Sequence, residues 1–505
     1  MLDLGTSFLA SVERDPGALA IVDGEMRLTY RQWYDKVSAL AAALSETGLT
    51  RGDHVLTAMQ NRWENATLHW ACQFLGLVIT PLNWRAKADE IDFGIEDAGA
   101  KAVFYDASTE EAVRLSHFAQ HLPHFSAEAL ADIMNGRAPD AVPVADAADW
   151  SLMLYTSGTT SKPKGVPRRH LAERAGAVAH VAQNLYRHGE RTLGVMPLYH
   201  TMGVRSLIAS SLIGGTFVCL PRFDAAKALD LIEQEKITNL YLVPTLYHDL
   251  VHHDAFSAAR VASVTKLGYA GASMTDGLLK RLDQTFRPEL FVNHYGSSEI
   301  YTFTIEQTAA AKPGSAGRAG INQTIRVVKL GSRNPDERAV VGEEGEIIAL
   351  MKSDEAFEGY WNRADADAKA LHGGWYFTGD TGFFDQDGDL FVTGRADDMI
   401  ITGGENVSPV EVESCLSLHD GVAEVAVVGL PDERWGKIVV AFIKRRGDVT
   451  AEDLDRHCRD SGLANFRRPR RIVFVDEIPK SPVGKLLRRL LVAGDYTEER
   501  IPENQ

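Results

Sequence analysis

One polar loop holds the residues best suited to chemistry, the stretch LYTSGTTSKPKG at positions 154–165. Its glycines allow backbone N–H groups to turn toward an anion, its hydroxyls donate hydrogen bonds, and its two lysines supply positive charge. This combination predicts a grip on the phosphates of a nucleotide. It is not a Walker loop, because six residues separate Gly158 from Gly165 where that motif requires four. A solvated surface loop has the same composition, so downstream segments must decide between the two interpretations.

A second cluster lies at positions 291–299, where the sequence FVNHYGSSE ends in a carboxylate. The pattern predicts an apolar strand that runs into a glycine turn, which is where open α/β sheets bind ligands. Glu299 is therefore a candidate metal ligand.

Two more charged sites follow. Asp380 comes directly after the aromatic stretch WYFTG, and Arg395 lies in the next turn. Taken alone, such an Asp and Arg most often form a structural ion pair. The segment PKSPVGK places Lys485 after a glycine and before a basic helix. Taken alone, Lys485 would be an ordinary solvated lysine.

Composition restricts the class of protein. A chain of 505 residues, 45% of them hydrophobic, is expected to form two or more domains. A formal charge of -16 argues against nucleic-acid binding, so any anion site must be a local basic patch. The four cysteines form no CxxC pair, which indicates neither a disulfide framework nor a cysteine zinc site. We expect a cytoplasmic protein, with no export signal and no membrane span.

The order of predicted elements favours an α/β fold of doubly wound parallel sheets. Helical spacing and apolar strand-like runs alternate along the first 243 residues. Helices are predicted at 30–44, 64–75, 204–212 and 225–235, and strands at 54–59, 78–79, 100–105, 193–196, 216–220 and 239–243. From about residue 345 short strands joined by Gly/Asp turns predict a small barrel-like β region.

The Asp387-Gly388 pair in that region predicts a hairpin turn. Asp385, Asp387 and Asp389 are spaced as in a calcium loop, but Leu390 stands where an EF-hand requires glycine, so the turn is favoured. His117, His121 and His124 have ligand-like spacing, but Pro123 would interrupt their helix, and a surface helix end is favoured over a metal site.

The last hundred residues predict a small α+β unit of the size of a lid. Helices are expected at 410–416 and 452–458, and strands at 422–429, 439–444 and 471–475. A polar stretch at 394–398 is the expected connection to the rest of the chain.

In this order, the motifs resemble those of the adenylate-forming superfamily of acyl-CoA synthetases, luciferases and peptide-synthetase adenylation domains. The motifs are YTSGTTSKPKG, YGSSE, GWYFTGD, GRADDMIITGGENVSPVEVE and PKSPVGK. Within this superfamily, the segments MPLYHTMG, DERWGK and ANFRRPRR are most similar to those of bacterial aryl-CoA ligases of the 4-chlorobenzoate and benzoate types. The resemblance covers nearly the whole chain, and it sets the surface-loop interpretation aside.

The resemblance implies a ligase that uses ATP, Mg²⁺ and CoA. A carboxylate would attack the α-phosphorus of ATP to give an acyl adenylate, and a thiol would then displace AMP. An N-terminal domain at 1–396 would bind ATP and the acid. A mobile lid at 397–505 would rotate about a hinge at Asp397 between the two steps.

The resemblance also assigns residues. Lys485 would bridge the substrate carboxylate and the α-phosphate, Glu299 would ligate Mg²⁺, and Asp380 with Arg395 would take the ribose. Thr156 and His200 complete the catalytic set. The residue at the position of His200 is a swinging gate in relatives. The expected phosphate and adenine residues are Thr156, Ser157, Gly158, Thr159, Thr160, Lys164, Ala270, Gly271, Ala272, Tyr295, Gly296, Ser297 and Ser298.

The expected CoA site is a basic patch in an acidic chain. Guanidinium groups suit phosphate, so the cluster that includes Arg467 and Arg471 is a local anion site rather than only a solvated face. The CoA residues implied by the resemblance are Arg85, Gly403, Gly404, Trp435, Phe466, Arg468 and Arg470.

The acyl pocket should determine which acid is used. No aspartate stands near His200 to hold an amino group, so an amino-acid substrate is not expected. The expected pocket residues are His200, Met202, Val243, Ala270, His294, Gly296, Ile300 and Tyr301, together with His180. Aryl-CoA ligases of the chlorobenzoate type carry an aliphatic residue in place of His294. An imidazole there favours a hydroxybenzoate-like or furoate-like acid, although the same histidine could simply bond to the backbone.

Other functions remain open at this point. A medium-chain or branched fatty acyl-CoA synthetase would use the same machinery. A luciferase-like oxygenase would form the same adenylate but would not need the arginine patch. A catalytically inactive nucleotide- or acyl-binding protein is disfavoured because Lys485, Glu299 and Asp380 are all present. The chain is expected to be a monomer or homodimer, and Lys485 is a candidate target of a lysine acetyltransferase.

Overall fold

The computed structural model describes residues 1–156, 163–395, 398–480 and 486–499. Its helices pack on three sheets, and the α/β class is confirmed. The helices are α1 (Leu4–Arg14), α2 (Tyr30–Glu46), α3 (Trp63–Leu75), α4 (Ala88–Ala98), α5 (Glu110–Leu115), α6 (Ala127–Met134), α7 (His170–Gln183), α8 (Thr201–Leu212), α9 (Ala225–Gln234), α10 (Pro244–Val251), α11 (Asp276–Phe286), α12 (Ala364–Ala370), α13 (Pro409–Ser417), α14 (Ala451–Asp460) and α15 (Arg488–Ala493).

The largest sheet combines a parallel half and an antiparallel half. Its strands are β1 (Leu19–Asp23), β2 (Met26–Thr29), β9 (Arg191–Gly194), β10 (Thr216–Cys219), β11 (Asn239–Leu242), β12 (Lys266–Tyr269), β13 (Leu290–Tyr295), β14 (Thr304–Glu306), β15 (Ser315–Ala319), β16 (Ile325–Lys329), β17 (Gly345–Leu350), β18 (Leu371–His372), β19 (Trp375–Phe384) and β20 (Leu390–Arg395). Strands β1, β10, β9, β11, β12 and β13 run parallel in that order. From β14 onward every pairing is antiparallel.

A six-stranded sheet carries the glycine-rich loop. It has the order β6-β5-β3-β4-β7-β8, with β3 (His54–Ala58), β4 (Val78–Pro81), β5 (Ala102–Tyr105), β6 (His124–Ser126), β7 (Trp150–Thr156) and β8 (Lys164–Arg169). All its neighbours are parallel except β7 and β8. Because helices cover both faces of the parallel strands, β3 and β4 are buried along their whole length, and their sequences are apolar runs rather than alternating ones.

The third sheet uses only residues from the C-terminal part of the chain. Its strands are β21 (Ile400–Thr402), β22 (Glu405–Val407), β23 (Val422–Asp432), β24 (Gly436–Arg445) and β25 (Arg471–Phe474), and α13 and α14 pack against it in one apolar cluster. The predicted α+β unit is present. The division at residues 396 and 397 stays a prediction, since both lie outside the described residues.

Several predicted strands have different bounds, and for three of them, β9, β23 and β24, a local reason is visible. Strand β9 ends at Gly194 rather than at 196, because the Asn61 amide donates to the carbonyls of Gly194 and Met196, at 3.0 and 2.7 Å. Strands β23 and β24 extend past the prediction because Asp432 caps their turn, accepting from the backbone N–H of Arg434 and Trp435.

The hairpin at Asp387-Gly388 is confirmed, with Phe384 opposite Leu390 and Gly388 at φ +84°. The Lys312 ammonium lies 2.5, 2.9 and 2.5 Å from the carboxylates of Asp385, Asp387 and Asp389. A cation of the protein itself therefore neutralises the group that resembled a calcium loop. His117, His121 and His124 fall in a turn, a short 3₁₀ helix and a strand, so no single helix aligns them. No helix in the described ranges is long and apolar enough to span a bilayer.

The N-terminal core is centred on packed aromatic rings. Phe8 of α1 stacks on Trp70 of α3 at 4.7 Å and meets Trp33 of α2 edge-on at 5.2 Å. Trp33 is fully buried, and its indole N–H donates to Thr67 Oγ1 at 2.9 Å.

We predict that Trp33→Ala lowers the free energy of unfolding by about 3–5 kcal/mol, because it leaves a large cavity and removes the hydrogen bond that the Thr67 hydroxyl accepts. Urea denaturation followed by circular dichroism measures the loss. The control is Val142→Ala, whose side chain is 75% exposed and whose change should stay within about 0.5 kcal/mol. Equal midpoints for the two variants would contradict the proposed role of the aromatic cluster.

Candidate active site

Glu299 is positioned by a tight turn after β13. Gly296 begins the turn, and no larger residue fits there because a Cβ would lie 2.2 Å from the Tyr301 carbonyl oxygen. The backbone N–H of Ser297 donates to the Ile300 carbonyl at 2.9 Å, and the Ser298 hydroxyl lies 3.2 Å from that of Thr201. The turn leaves Glu299 only 6% exposed.

The Glu299 carboxylate is brought close to a cation from the glycine-rich loop. The Tyr360 hydroxyl donates to Glu299 Oε1 at 2.7 Å, and Lys164 Nζ lies 4.1 Å from the centre of the Tyr360 ring. Burial lowers the pKa of Lys164, and the nearby Glu299 opposes that shift. A carboxylate at the hydroxyl of this tyrosine and an ammonium over its ring suit a metal and a phosphate respectively.

Thr156 and Lys164 are the described ends of the predicted phosphate loop. They are paired across β7 and β8, and the Thr156 hydroxyl lies 3.5 Å from the Lys164 carbonyl oxygen. Ser157, Gly158, Thr159 and Thr160 lie outside the described residues. The oxygens of Thr156 and Glu299 are the hard donors that Mg²⁺ prefers, so these residues fit such an ion.

A buried arginine that sequence reasoning missed holds this region together. Arg168 of β8 is fully buried, and its Nη1 donates to the carbonyls of Glu299 at 3.0 Å and Glu355 at 2.7 Å. Its Nε donates to Glu173 at 2.7 Å, and its guanidinium stacks 3.9 Å from the centre of the Tyr301 ring. Period-two alternation with Val166 could have indicated that Arg168 points inward.

Asp380, Arg395 and Tyr295 also come together. Asp380 and Arg395 are partners across β19 and β20, with Arg395 Nη1 2.9 Å from Asp380 Oδ1. The Tyr295 hydroxyl donates to the other carboxylate oxygen at 2.6 Å, and burial followed by Asp380 raises the pKa of Tyr295. Because Asp380 joins both residues, the simple ion pair considered from sequence is part of a three-residue group.

The predicted adenine turn adjoins this group. Residues 270–272 follow β12, which pairs in parallel with β13, so the turn and Tyr295 lie at neighbouring carboxyl ends of the sheet. Gly271 adopts φ +84°, a conformation that favours glycine.

The predicted acyl residues are mostly buried, at the same edge of the sheet. His200 caps α8, and its Nδ1 accepts from the Met202 N–H at 3.3 Å. Met202, Val243, His294, Ile300 and Tyr301 are each 2% exposed or less. The Tyr301 hydroxyl is already committed to Glu173, at 3.0 Å.

His294 lies in a polar cluster rather than in an apolar slot. Asn184, which sequence reasoning missed, places its Nδ2 3.0 Å from both His180 Nδ1 and His294 Nε2. The opposite ring atoms, His180 Nε2 and His294 Nδ1, are buried and have no hydrogen-bond partner in the described part of the chain. Burial, and then the charge of Arg205, lower the pKa of both histidines, so both rings are neutral at neutral pH.

The predicted CoA residues form an aromatic and basic face in the C-terminal part. The Arg470 guanidinium lies 5.2 Å from the centre of a Trp435 ring, and a Cβ on Gly403 would approach the same ring to 2.8 Å. Arg467 pairs with Glu411 at 2.5 Å and also lies 5.2 Å from the centre of the Phe466 ring. The other predicted residues are Gly404 in the turn between β21 and β22, Arg468 near Asp455, Arg471 near Glu498, and Arg85, which stacks on Trp84 in the N-terminal part.

Two residues with assigned roles, Lys485 and Asp397, lie outside the described residues. Their neighbours are anchored. Lys480 Nζ lies 2.6 Å from Glu424, and Arg488 binds Glu413 at 2.8 Å and approaches Asp398 at 3.8 Å.

Known proteins with the same architecture match nearly the whole chain. Residues 8–361 match the AMP-binding enzyme family, and residues 411–485 match the AMP-binding enzyme C-terminal domain. A 4-chlorobenzoate–CoA ligase of an Arthrobacter species is 34% identical over 95% of this chain and 93% of its own. A long-chain-fatty-acid–CoA ligase of Mycobacterium tuberculosis is 32% identical over 92% of this chain and 93% of its own.

A solved structure agrees with these relatives. The ATP-bound crystal structure of MatB from Rhodopseudomonas palustris has a TM-score of 0.87 and 26% identity, and covers 98% of this chain and 99% of that one. The chain therefore belongs to the AMP-binding enzyme family, in which it is an AMP-forming acyl-CoA ligase.

Proposed function

We propose that this ligase activates an aromatic or heteroaromatic carboxylic acid in two steps. In the first, a carboxylate oxygen of the acid attacks the α-phosphorus of ATP, and the bond to the β-phosphate breaks to release pyrophosphate. In the second, the sulfur of CoA attacks the acyl carbon, the bond to AMP breaks, and the thiol proton is lost to solvent. Each step joins charged groups, so catalysis depends on alignment and on stabilisation of negative charge.

The observation that carries this proposal is the approach of Lys164 to the ring face and of Glu299 to the hydroxyl of the same residue, Tyr360. In that role Lys164 and Thr156 bind phosphate oxygens, and Glu299 with Thr156 would hold Mg²⁺. When bound, the ion supplies charge neutralisation between the phosphates. Tyr295 and the 270–272 turn hold adenine, Asp380 with Arg395 holds the ribose, and Lys485 bridges the carboxylate and the α-phosphate.

The acid is inferred from the polar cluster. Neutral imidazoles with unpartnered ring nitrogens can exchange hydrogen bonds with a hydroxyl, an amino group or a ring heteroatom. They offer no positive charge to a second carboxylate. The 4-chlorobenzoate ligase among the relatives supports an aromatic ring, and the fatty-acid ligase keeps a medium-chain or branched fatty acid as the second candidate.

A panel of acids tests the reaction. Purified enzyme with ATP, Mg²⁺ and CoA should form AMP and an acyl-CoA thioester, identified by mass, with substituted benzoates and furoate ahead of hexanoate and decanoate. Lys485→Ala should slow adenylation by roughly 10²–10³-fold, since it removes a cation that stabilises the transition state. Lys101→Ala is the matched control, because Lys101 is exposed and precedes β5 at the amino end of its sheet, and it should retain activity within a few-fold. A failure of every acid to give AMP would refute the function, and a fatty acid as the best substrate would favour the second candidate.

The hinge is tested by Asp397→Pro. Because proline fixes φ, the variant should still release pyrophosphate at a near-normal rate while thioester formation is lost. Quenched-flow measurement of pyrophosphate and thioester in the same reaction separates the two steps. A proportional loss of both would show that residue 397 is not a hinge for the second step.

His294→Ile tests the acyl pocket. We expect kcat/KM for 4-hydroxybenzoate relative to benzoate or 4-chlorobenzoate to fall about tenfold, since an aliphatic side chain cannot satisfy the hydroxyl. Competition assays with pairs of acids measure the ratio. His372→Gln, at a surface histidine bonded to the Lys369 carbonyl, should leave the ratio unchanged. An unchanged ratio in His294→Ile would exclude this residue as the determinant.

A further inference from the structure

Two cysteines far apart in the sequence meet where α13 and α14 pack together. Cys415 lies near the end of α13 and Cys458 near the end of α14, and both belong to one apolar cluster beside the third sheet. The Ser461 hydroxyl lies between them, 2.9 Å from the Cys415 sulfur and 3.0 Å from the Cys458 carbonyl oxygen. The sequence gives no hint of this pair, because 42 residues lie between them.

The surroundings distinguish the two thiols. Cys415 is partly exposed, and its Sγ lies 2.9 Å from the Ser461 hydroxyl. The His457 Nε2 lies 2.9 Å from the Cys415 backbone carbonyl. Cys458 is fully buried, with its backbone carbonyl accepting from the Ser461 hydroxyl at 3.0 Å. Cys415 is therefore the residue that small reagents can reach, and Cys458 is enclosed in the apolar cluster.

The charges around the pair favour the thiolate on the accessible residue. Hydrogen bonds from Cys458 and then Ser461, helped by His457, lower the pKa of Cys415, while burial and Glu411 oppose the shift. The interaction with Cys415, burial and the charge of Asp455 raise the pKa of Cys458, and the charge of Arg468 opposes that shift. A partly exposed thiolate next to a protonated thiol is the arrangement of a peroxide-reactive cysteine and its resolving partner.

We propose that Cys415 and Cys458 form an oxidation site at which a hydroperoxide produces a reversible disulfide between α13 and α14. The Cys415 sulfur attacks the terminal oxygen of the hydroperoxide, the O–O bond breaks, and an alcohol or water leaves as Cys415 becomes a sulfenic acid. The Cys458 sulfur then displaces the hydroxyl group, which leaves as water with the Cys458 proton. Two thiols are oxidised by two electrons, and one peroxide is reduced.

Native peptide mapping tests the site. The full-length protein is treated with a few equivalents of hydrogen peroxide, alkylated and analysed by mass spectrometry. We expect one cross-linked peptide pair containing Cys415 and Cys458, lighter by two hydrogen atoms and restored by dithiothreitol. Cys72 and Cys219 are internal controls, since both are buried and burial raises the pKa of each. Failure to find the cross-link while Cys415 stays reduced, or oxidation of all four cysteines alike, would overturn the proposal.

Two variants separate the roles of the thiols. Cys458→Ser should leave Cys415 as a sulfenic acid that dimedone traps, and Cys415→Ser should leave Cys458 unreacted. In untreated protein at pH 7, iodoacetamide should alkylate Cys415 roughly tenfold faster than an ordinary thiol such as glutathione, because more of it is thiolate. Cys219→Ser should form the disulfide as the unchanged protein does. Oxidation of Cys458 in Cys415→Ser to the same extent as oxidation of Cys415 in Cys458→Ser would overturn the assignment.

The location suggests which step the disulfide affects, an extension that rests on the proposed function. Arg467 pairs with Glu411 of α13, and Arg468 pairs with Asp455 of α14. The cross-link would therefore fix the two helices that hold these arginines of the proposed CoA site. The oxidised protein should change its KM for CoA at least twofold while ATP–pyrophosphate exchange stays constant. A disulfide that forms without changing either measurement would refute this link. Absence of the disulfide would refute the site itself, whichever acid the enzyme uses.

Discussion

The buried guanidinium of Arg168 is the constraint around which the candidate site is built. A charge removed from water needs a counter-charge and hydrogen-bond acceptors, and here Glu173 supplies the counter-charge while carbonyls of Ser298, Glu299 and Glu355 accept hydrogen bonds from the guanidinium. Removing one partner of such a pair typically costs about 3–5 kcal/mol, because it leaves an uncompensated charge. Arg168 thereby joins β8, α7 and the turn that carries Glu299. Because the hydrogen bond from Arg168 fixes the backbone of Glu299, the Glu299 carboxylate is directed toward Tyr360.

This arrangement places groups of opposite charge at one edge of the large sheet and the adjacent phosphate loop. Tyr295 at the end of parallel strand β13 meets Asp380, which the antiparallel pairing of β19 and β20 sets beside Arg395. In a chain with a formal charge of -16, Lys164 and Arg395 supply positive charge where anionic substrates are expected. The polar cluster of Asn184, His180 and His294 differs, because its rings are neutral, so in the proposed acyl pocket it would discriminate by hydrogen-bond geometry rather than by charge.

Much of the fold followed from local patterns. Apolar runs and helical spacing predicted α2, α3, β3 and the C-terminal unit, and errors of a few residues came from side chains such as Asn61 that take the place of a strand partner. The roles of Glu299, Asp380 and Arg395 were predicted because each residue belongs to a short contiguous motif that resembles one of a known family. Arg168 with Glu355, Glu299 with Tyr360, and Asn184 with His294 pair across 61 to 187 residues. Sequence spacing carries no information about such pairs, since they exist only after the sheets have assembled.

The C-terminal contacts restrict how Lys485 can be delivered. Lys480 before it is tied to Glu424 of β23, and Arg488 after it is tied to Glu413 of α13. Glu413 is buried and also accepts from the Val427 N–H at 2.8 Å, so both anchors belong to the third sheet and the helix that packs on it. In the sequence, Lys480 lies five residues before Lys485 and Arg488 three residues after it. Any large displacement of Lys485 between the two steps therefore requires the third sheet and α13 to move with it, which makes a body rotation a lower-cost route than a local loop movement.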